Sequence, residues 1–289
     1  MRLFIWELRK LWSSSAARGG MVIVGVVLAL SLIATALHEP RALDLPEGVV
    51  GRTAAMAQHD TNNAWHFARH LLAPVVGLLV PAVLLVVLSG TIAGEGEDRT
   101  LAEPLSRGVR RGTLVVAKLA AGSLYALALI AMTAVVALAI APLVMKTGPV
   151  MPVVTVRTAT ASTSLLDSST AAFRLAGAYA VAFLGMLPIV ALAVLVSALS
   201  ETARGAAVAG AGIYFALSAL QYMPGLEGLR PYLVVNHVST WRTLLGVDIA
   251  YERVAFGAGV LVVAFLLLSA ASVLIVSGRE LSSGSHAAR

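Results

Sequence analysis

The sequence predicts an all-α integral membrane protein: six transmembrane helices preceded by an N-terminal amphipathic interfacial helix. Three observations carry that expectation. Hydrophobic residues make up 58% of the 289-residue chain and charged ones only 12%, with a mean hydropathy of +0.88, so a monomer has too little polar surface to dissolve. Six apolar runs, at about 21–37, 71–93, 114–145, 175–199, 205–223 and 254–277, each approach the roughly 20 residues that cross about 30 Å of hydrocarbon. The charges fall in short segments beside those runs rather than along one amphipathic stripe, which assigns the net charge of +6 and the pI near 10.1 to a membrane surface and not to nucleic acid. The runs leave no room for a large soluble domain, so residues 1–289 read as a single transmembrane domain.

In chain order, MRLFIWELRKLW comes first. At 100° per residue it gathers Phe4, Ile5, Leu8, Leu11 and Trp12 on one arc and Arg2, Glu7, Arg9 and Lys10 on the other, with Leu3 and Trp6 on the polar side. That pattern predicts a helix lying in the membrane interface with its charged arc toward water. A secretory signal is the alternative, since Ala34-Thr35-Ala36 resembles a cleavage site, but twenty residues precede the apolar run and five further runs follow. Segment 38–70, with Pro40, Pro46 and HDTNNAWHFARH, reads as a polar connection ending in a short amphipathic helix. The 114–145 run would be about 48 Å long as a helix, too long to stand upright, so it should tilt or project beyond the bilayer. Pro74, Pro81, Pro142 and Pro188 lie in or near the ends of spans and can kink them. Segment 155–170, nine of whose sixteen residues are Ser or Thr, reads as an exposed loop. In the fifth span Gly205, Ala209 and Gly212, with Gly210 beside them, give a small-residue face suited to close approach by another helix and are the candidate dimer face. Residues 223–253 mix Pro/Gly breaks with short apolar stretches, as interfacial or dipping segments do; Tyr222, Tyr232, Trp241 and Tyr251 are expected at headgroup level.

Six spans put both termini and the second and fourth connections on one side. Those segments, with Lys118, hold twelve Lys/Arg in roughly 60 residues against nine in roughly 90 on the other side, which places both termini in the cytoplasm and the chain in a cytoplasmic (inner) membrane.

The chemistry excluded is as informative. There is no cysteine, hence no disulfide and no thiolate metal site. Lys10, Lys118 and Lys146 are the only lysines and none follows a glycine, so the chain has no phosphate-binding loop and does not hydrolyse ATP itself. His38-Glu39 lacks the second histidine of a zinc protease, and no serine sits in G-x-S-x-G. The chain is therefore not expected to be an enzyme. His66 and His70 share a helical face, with His59 and Asp60 nearby, but the set does not complete a convincing metal site and no metal is expected. Lys118, near the start of the third span, is expected to snorkel to the surface, leaving the spans without ionisable groups near mid-bilayer.

One segment is out of keeping with the rest. GEGEDRTLAEPLSRGVRR, Gly94 to Arg111, carries eight charged side chains in eighteen positions, acidic at first (Glu95, Glu97, Asp98, Glu103) and basic afterwards (Arg107, Arg110, Arg111). Glu95, then Thr100-Leu101, then Pro104-Leu105-Ser106-Arg107, then Lys118 at the start of a span, resembles the type-2 ABC exporter permeases, notably those of the nitrous-oxide-reductase maturation type. The likeness extends to the topology: the N-terminal amphipathic helix, the short fourth connection around SETARG and the broken segment before the last span. It departs from the family in the stretch from Thr100 to Pro104, which is shorter by about one helical turn. The resemblance implies a permease subunit of an ATP-driven exporter that binds no cofactor. It would pair with a second permease copy, identical or related, and be energised by a separate ATPase subunit that binds ATP and Mg. Glu95, Glu97, Thr100, Leu101, Pro104, Leu105, Ser106, Arg107 and Arg110 would form the coupling loop, with the charges exposed to orient docking. Membrane lipids are the remaining partner. An ion-coupled secondary transporter and a non-transporting membrane assembly subunit are the alternatives.

Overall fold

A computed structural model describes residues 2–37, 63–98, 100, 108–150, 166–246 and 248–278. It is 85% helical, with no strand among the described residues, and six helices are long and apolar enough to cross a membrane: Ser15–Leu37, Ala64–Glu97, Arg111–Val144, Ser168–Leu199, Ala203–Leu220 and Tyr251–Gly278. An interfacial helix, Arg2–Ser13, precedes them. Most of the helices begin several residues before the apolar runs do, because polar residues cap them. Ser14 ends the interfacial helix and starts the first span: its hydroxyl donates to the Leu11 carbonyl at 2.7 Å and accepts from Ala17 N–H at 3.1 Å. Asn63 accepts from Trp65 N–H at the start of the second span and donates to the Pro149 carbonyl, tying that start to the far end of the third. Asp167 caps the fourth span through Ser169, whose hydroxyl and N–H both donate to it and hold its carboxyl below the ordinary carboxylate range. Thr202 caps the fifth by accepting from Gly205 N–H.

Spans differ in how much of themselves they hide. Of the most apolar stretch of each helix, 61% is buried within the protein in the second and fourth spans, against 17% in the first and fifth and 11% in the sixth. The fourth span is thus the axis, packed by the second, third, fifth and sixth, and the outer helices present Ile23, Leu30, Leu266 and Leu274 outward, where acyl chains would cover them. Glycine admits the closest contacts. A Cβ on Gly20 would lie 2.6 Å from Val83 and 2.7 Å from the Tyr125 hydroxyl, and one on Gly257 would lie 2.4 Å from Thr240.

The prolines shape the second and third spans. Pro74 and Pro81 flank a π-helical turn, Val75–Leu79, and Pro142 follows another at Val136–Ile140. Pro81 has no N–H to offer the Gly77 carbonyl four residues earlier, and the Tyr214 hydroxyl of the fifth span donates to that oxygen instead, at 2.8 Å. Pro188 lies within an unbroken fourth helix. The third span has the excess length expected of it.

Between the fifth and sixth spans lie three short turns of helix, Glu227–Tyr232, Val234–His237 and Thr240–Leu245. Tyr222, Tyr232 and Tyr251 are exposed there, but Trp241 does not face outward as a headgroup anchor would: it is 3% exposed, in the core with Val238 and Leu245. The segment packs inward on the fourth and sixth spans, and Arg174 of the fourth fixes it by donating to the Gly246 carbonyl at 2.7 Å. Most of 38–70 and 155–170, including His59 and Asp60, lies outside the described residues.

Candidate functional site

The second span does not end cleanly. Its helix stops at Ser89, turns through Gly90–Ile92 and resumes as a short helix, Ala93–Glu97, which leads into the charged connection. Such a break strands backbone groups, and Ser197 of the fourth span satisfies them: its hydroxyl accepts from the N–H groups of Ile92 and Ala93 at 3.1 and 3.0 Å and donates to the Ser89 carbonyl at 2.6 Å. On the next turn Glu97 accepts from Ala203 N–H at 3.3 Å, placing a carboxylate on the N-terminus of the fifth span, where helix polarity favours it.

Glu95 points the other way, into the protein. It is 6% exposed, and its Oε1 accepts from Lys118 of the third span and from Lys10 of the interfacial helix, each at 2.6 Å. Lys118 also donates to Glu7 Oε2 at 3.0 Å and is itself only 1% exposed. Two lysines and two carboxylates thus form one cluster joining three elements, with Glu7, Glu95 and Lys118 buried and Lys10 at its open edge. Removing an ion of this kind from water is costly unless its partners go with it, which is why the four are found together. Burial is the largest influence on the Glu7 carboxyl and raises its pKa above the ordinary 4.5; Glu95 adds to the rise, while Lys118 and Lys10 oppose it. Beside the cluster is a cavity of about 250 Å³ lined by Glu7, Lys10, Glu95 and Lys118 together with Val86, Val87, Leu11 and Ala121.

Three expectations are corrected here. Lys118 does not snorkel; the interfacial helix folds onto the third span and supplies Glu7, so the ammonium is paired in place. Glu7 is not on a water-facing arc, and Ile5 and Trp6 are exposed instead. Glu95 is not an exposed docking charge but the centre of the cluster. Glu97 and Arg110 are exposed as expected of the charges; Thr100 is exposed too, its N–H donating to the Glu95 carbonyl. Leu101, Pro104, Leu105, Ser106 and Arg107 lie outside the described residues. Reading by sequence missed Glu7, Lys10 and Ser197. The available signal was Lys118 itself, an ammonium within TLVVAKLAAG that required a carboxylate from elsewhere.

The fifth span has two small faces. Ala206, Gly210 and Tyr214 turn inward, where a Cβ on Gly210 would meet Leu85 of the second span at 3.1 Å. Gly205, Ala209 and Gly212 turn outward, and nothing lies within 4 Å of a Cβ built on Gly212. His66 and His70 do come together, with ring centroids 4.2 Å apart, but the guanidinium of Arg69 sits 3.2 and 3.4 Å from their nitrogens. Among the described residues no three His, Asp or Glu are grouped as metal ligands.

The fold and this junction define a multi-pass helical membrane protein whose interfacial helix, charged connection and spans are joined by buried charge. The chain belongs to the family described as proteins of unknown function, DUF2705, whose model matches residues 49–281. No curated protein matches it.

Proposed function

We propose that this chain is the transmembrane permease subunit of an ATP-driven ABC transporter, an exporter, energised by a separate ATPase subunit seated on the connection 94–111. One observation carries the reading. The Ala93–Glu97 helix that leads into that connection is bonded to four other elements: the fourth span through Ser197, the fifth through Glu97, the third through Glu95 and Lys118, and the interfacial helix through Lys10. A chain without a phosphate loop receives the free energy of ATP only through contact, and a lever so anchored would pass a push on the connection to most of the bundle as rigid-body motion. ATP and Mg belong to the ATPase, and this chain is non-catalytic. The connection and both termini face the cytoplasm of an inner membrane, as the Lys/Arg distribution favours. A second permease copy, identical or related, packs on the outward face of Gly205, Ala209 and Gly212.

Because Glu95 is buried and Glu97 is held at the start of the fifth span, the docking test uses Arg107 and Arg110. Exposed pairs contribute about 0–1 kcal/mol each, so single reversals weaken docking and the two together release it. The double reversal Arg107→Glu, Arg110→Glu should insert normally yet fail to hold the phosphate-loop ATPase expected to co-purify with the unmodified chain; undiminished co-purification, or no such ATPase with the unmodified chain, contradicts the assignment.

The buried cluster also favours a second reading, an ion-coupled carrier, since ionisable groups inside membrane proteins mark proton and ion paths. Gradient-driven uptake into vesicles holding this chain alone would favour it over the first.

A further inference from the structure

The cavity beside the charge cluster contains an unanswered polar group. Glu7 is 4% exposed; its Oε2 is held by Lys118, but its Oε1 is buried without a partner, the one such side-chain atom at this junction among the described residues. The hydroxyls lining the cavity have no proton to offer it: Ser14 donates to the Leu11 carbonyl, Ser89 to Val86 and Thr91 to Leu88. The interior therefore presents an unanswered acceptor, Glu7 Oε1, beside the ammonium of Lys118, two of whose three N–H groups are taken by Glu7 and Glu95. Lys10, whose side chain is 41% exposed, presents free donors at the mouth, since only one of its bonds goes to Glu95. On the membrane side the lining is apolar, with Val86 57% exposed. The volume of about 250 Å³ is several times the roughly 30 Å³ that one water occupies.

We propose that this cavity is a binding site for an aminophospholipid headgroup, whose ammonium donates to Glu7 Oε1 while its phosphate bonds Lys10 and its acyl chains leave past Val86. The ligand must carry a proton donor at its tip and an anion behind it, in that order, and must come from the leaflet against which the interfacial helix lies. An ammonium also answers the rise that burial gives the Glu7 carboxyl, because a further positive charge favours the ionised form. A choline headgroup has the same charge but no N–H, so it cannot make this bond. The inference does not depend on the transport reading: the site would bind lipid in a carrier or an assembly subunit alike.

The test is native mass spectrometry of the full-length chain in detergent, titrated with lysophosphatidylethanolamine, lysophosphatidylcholine or soluble phosphoethanolamine. The unmodified chain should retain the ethanolamine lipid about tenfold more tightly than the choline lipid, the value of one hydrogen bond to a charged group. Glu7→Gln keeps an oxygen for Lys118 and turns an amide N–H₂ toward the cavity, so it should bring the two lipids to parity. Lys10→Ala, at a partly exposed position, should weaken both lipids alike, and decides the matter with the lipid comparison if Glu7→Gln does not insert. Equal retention of the two lipids by the unmodified chain would mean that no headgroup N–H reaches Glu7 Oε1 and overturns the proposal. So would a preference that survives Glu7→Gln, or soluble phosphoethanolamine binding as tightly as the lipid.

Discussion

The two ends of the bundle are closed by opposite means. At the end carrying the interfacial helix, charge makes the joints: Lys118 between Glu7 and Glu95, Lys10 on Glu95, and Glu97 on the fifth span. At the other end shape makes them: Trp241, Val238 and Leu245 are buried, Gly257 is tight on Thr240, and a Cβ on Gly185 would lie 3.4 Å from the Val238 backbone. Hydrogen bonds there run mostly to backbone carbonyls and, among the described residues, join no two opposite charges, as from Arg174 to the Gly246 carbonyl, from Asn63 to the Pro149 carbonyl, from the Tyr179 hydroxyl to the Ala68 carbonyl and from His237 Nε2–H to the Pro231 carbonyl. Close-packed apolar contacts are bistable or rigid, whereas ion pairs can be exchanged and titrated. The charged end is therefore the one suited to receive a signal, and the packed end the one suited to hold the outer helices in place.

The largest expected effect breaks the charged end. Lys118→Met leaves the buried Glu7 without its ammonium, and Glu95 held by Lys10 alone, and should cost about 3–5 kcal/mol, seen as lost insertion or a lower unfolding temperature in detergent. Adding Glu7→Leu and Glu95→Leu to it should recover most of that loss, since the three buried members are then replaced together by apolar side chains, often with no loss of stability, and Lys10, 41% exposed, can turn to water. A triple variant as unstable as the single one would show that packing, not charge, closes this end.

Next comes the packed end. Gly257→Ala sets a methyl 2.4 Å from Thr240 Oγ1 and should destabilise by about 1–3 kcal/mol, with partial rescue by Thr240→Gly. Gly259, two residues on, has nothing within 4 Å, and the same substitution there should be silent. Equal unfolding temperatures for the two variants would remove the contrast.

The smallest effect is on pH, and the two ends should differ in sign. The folded Glu7 binds its proton more tightly than the unfolded carboxyl, so its contribution is present below pH 4.5 and is lost as pH rises from there through the raised folded value. Asp167, at the other end of the fourth span, is lowered by its Ser169 bonds, so its contribution is present above its ordinary 3.8 and lost as pH falls through the folded value. Unfolding temperature measured from pH 3 to 8 should fall less with rising pH in Glu7→Gln than in the unmodified chain, and should fall less on acidification in Asp167→Asn; indistinguishable profiles would show that neither group titrates with folding.

How far these ends could be read in advance follows the same division. Hydropathy located all six spans, because a helix in lipid is specified by its own side chains. The interfacial helix and the outward Gly205-Ala209-Gly212 face were legible for the same reason, each being a pattern within one helix. The Glu7–Lys118 pair was not, since its partners stand 111 residues apart and meet only when two helices pack. A helical wheel put Glu7 toward water, when the surface beneath that arc was a buried lysine. Trp241 misled in the same manner: an aromatic in a Pro/Gly-rich segment reads as an interfacial anchor, and only the fit of that segment onto the fourth and sixth spans drew it inside.

The claim that the charged junction carries the drive from an ATPase to the spans is tested most directly at Glu95. Glu95→Gln keeps the shape of the junction and an oxygen for one lysine but weakens the link among the connection, the third span and the interfacial helix, while leaving Arg107 and Arg110 untouched. ATP hydrolysis by this chain reconstituted in vesicles with the ATPase subunit proposed to energise it is the measurement. The account predicts that the variant still retains the ATPase but no longer stimulates its hydrolysis; stimulation equal to that of the unmodified chain would contradict it.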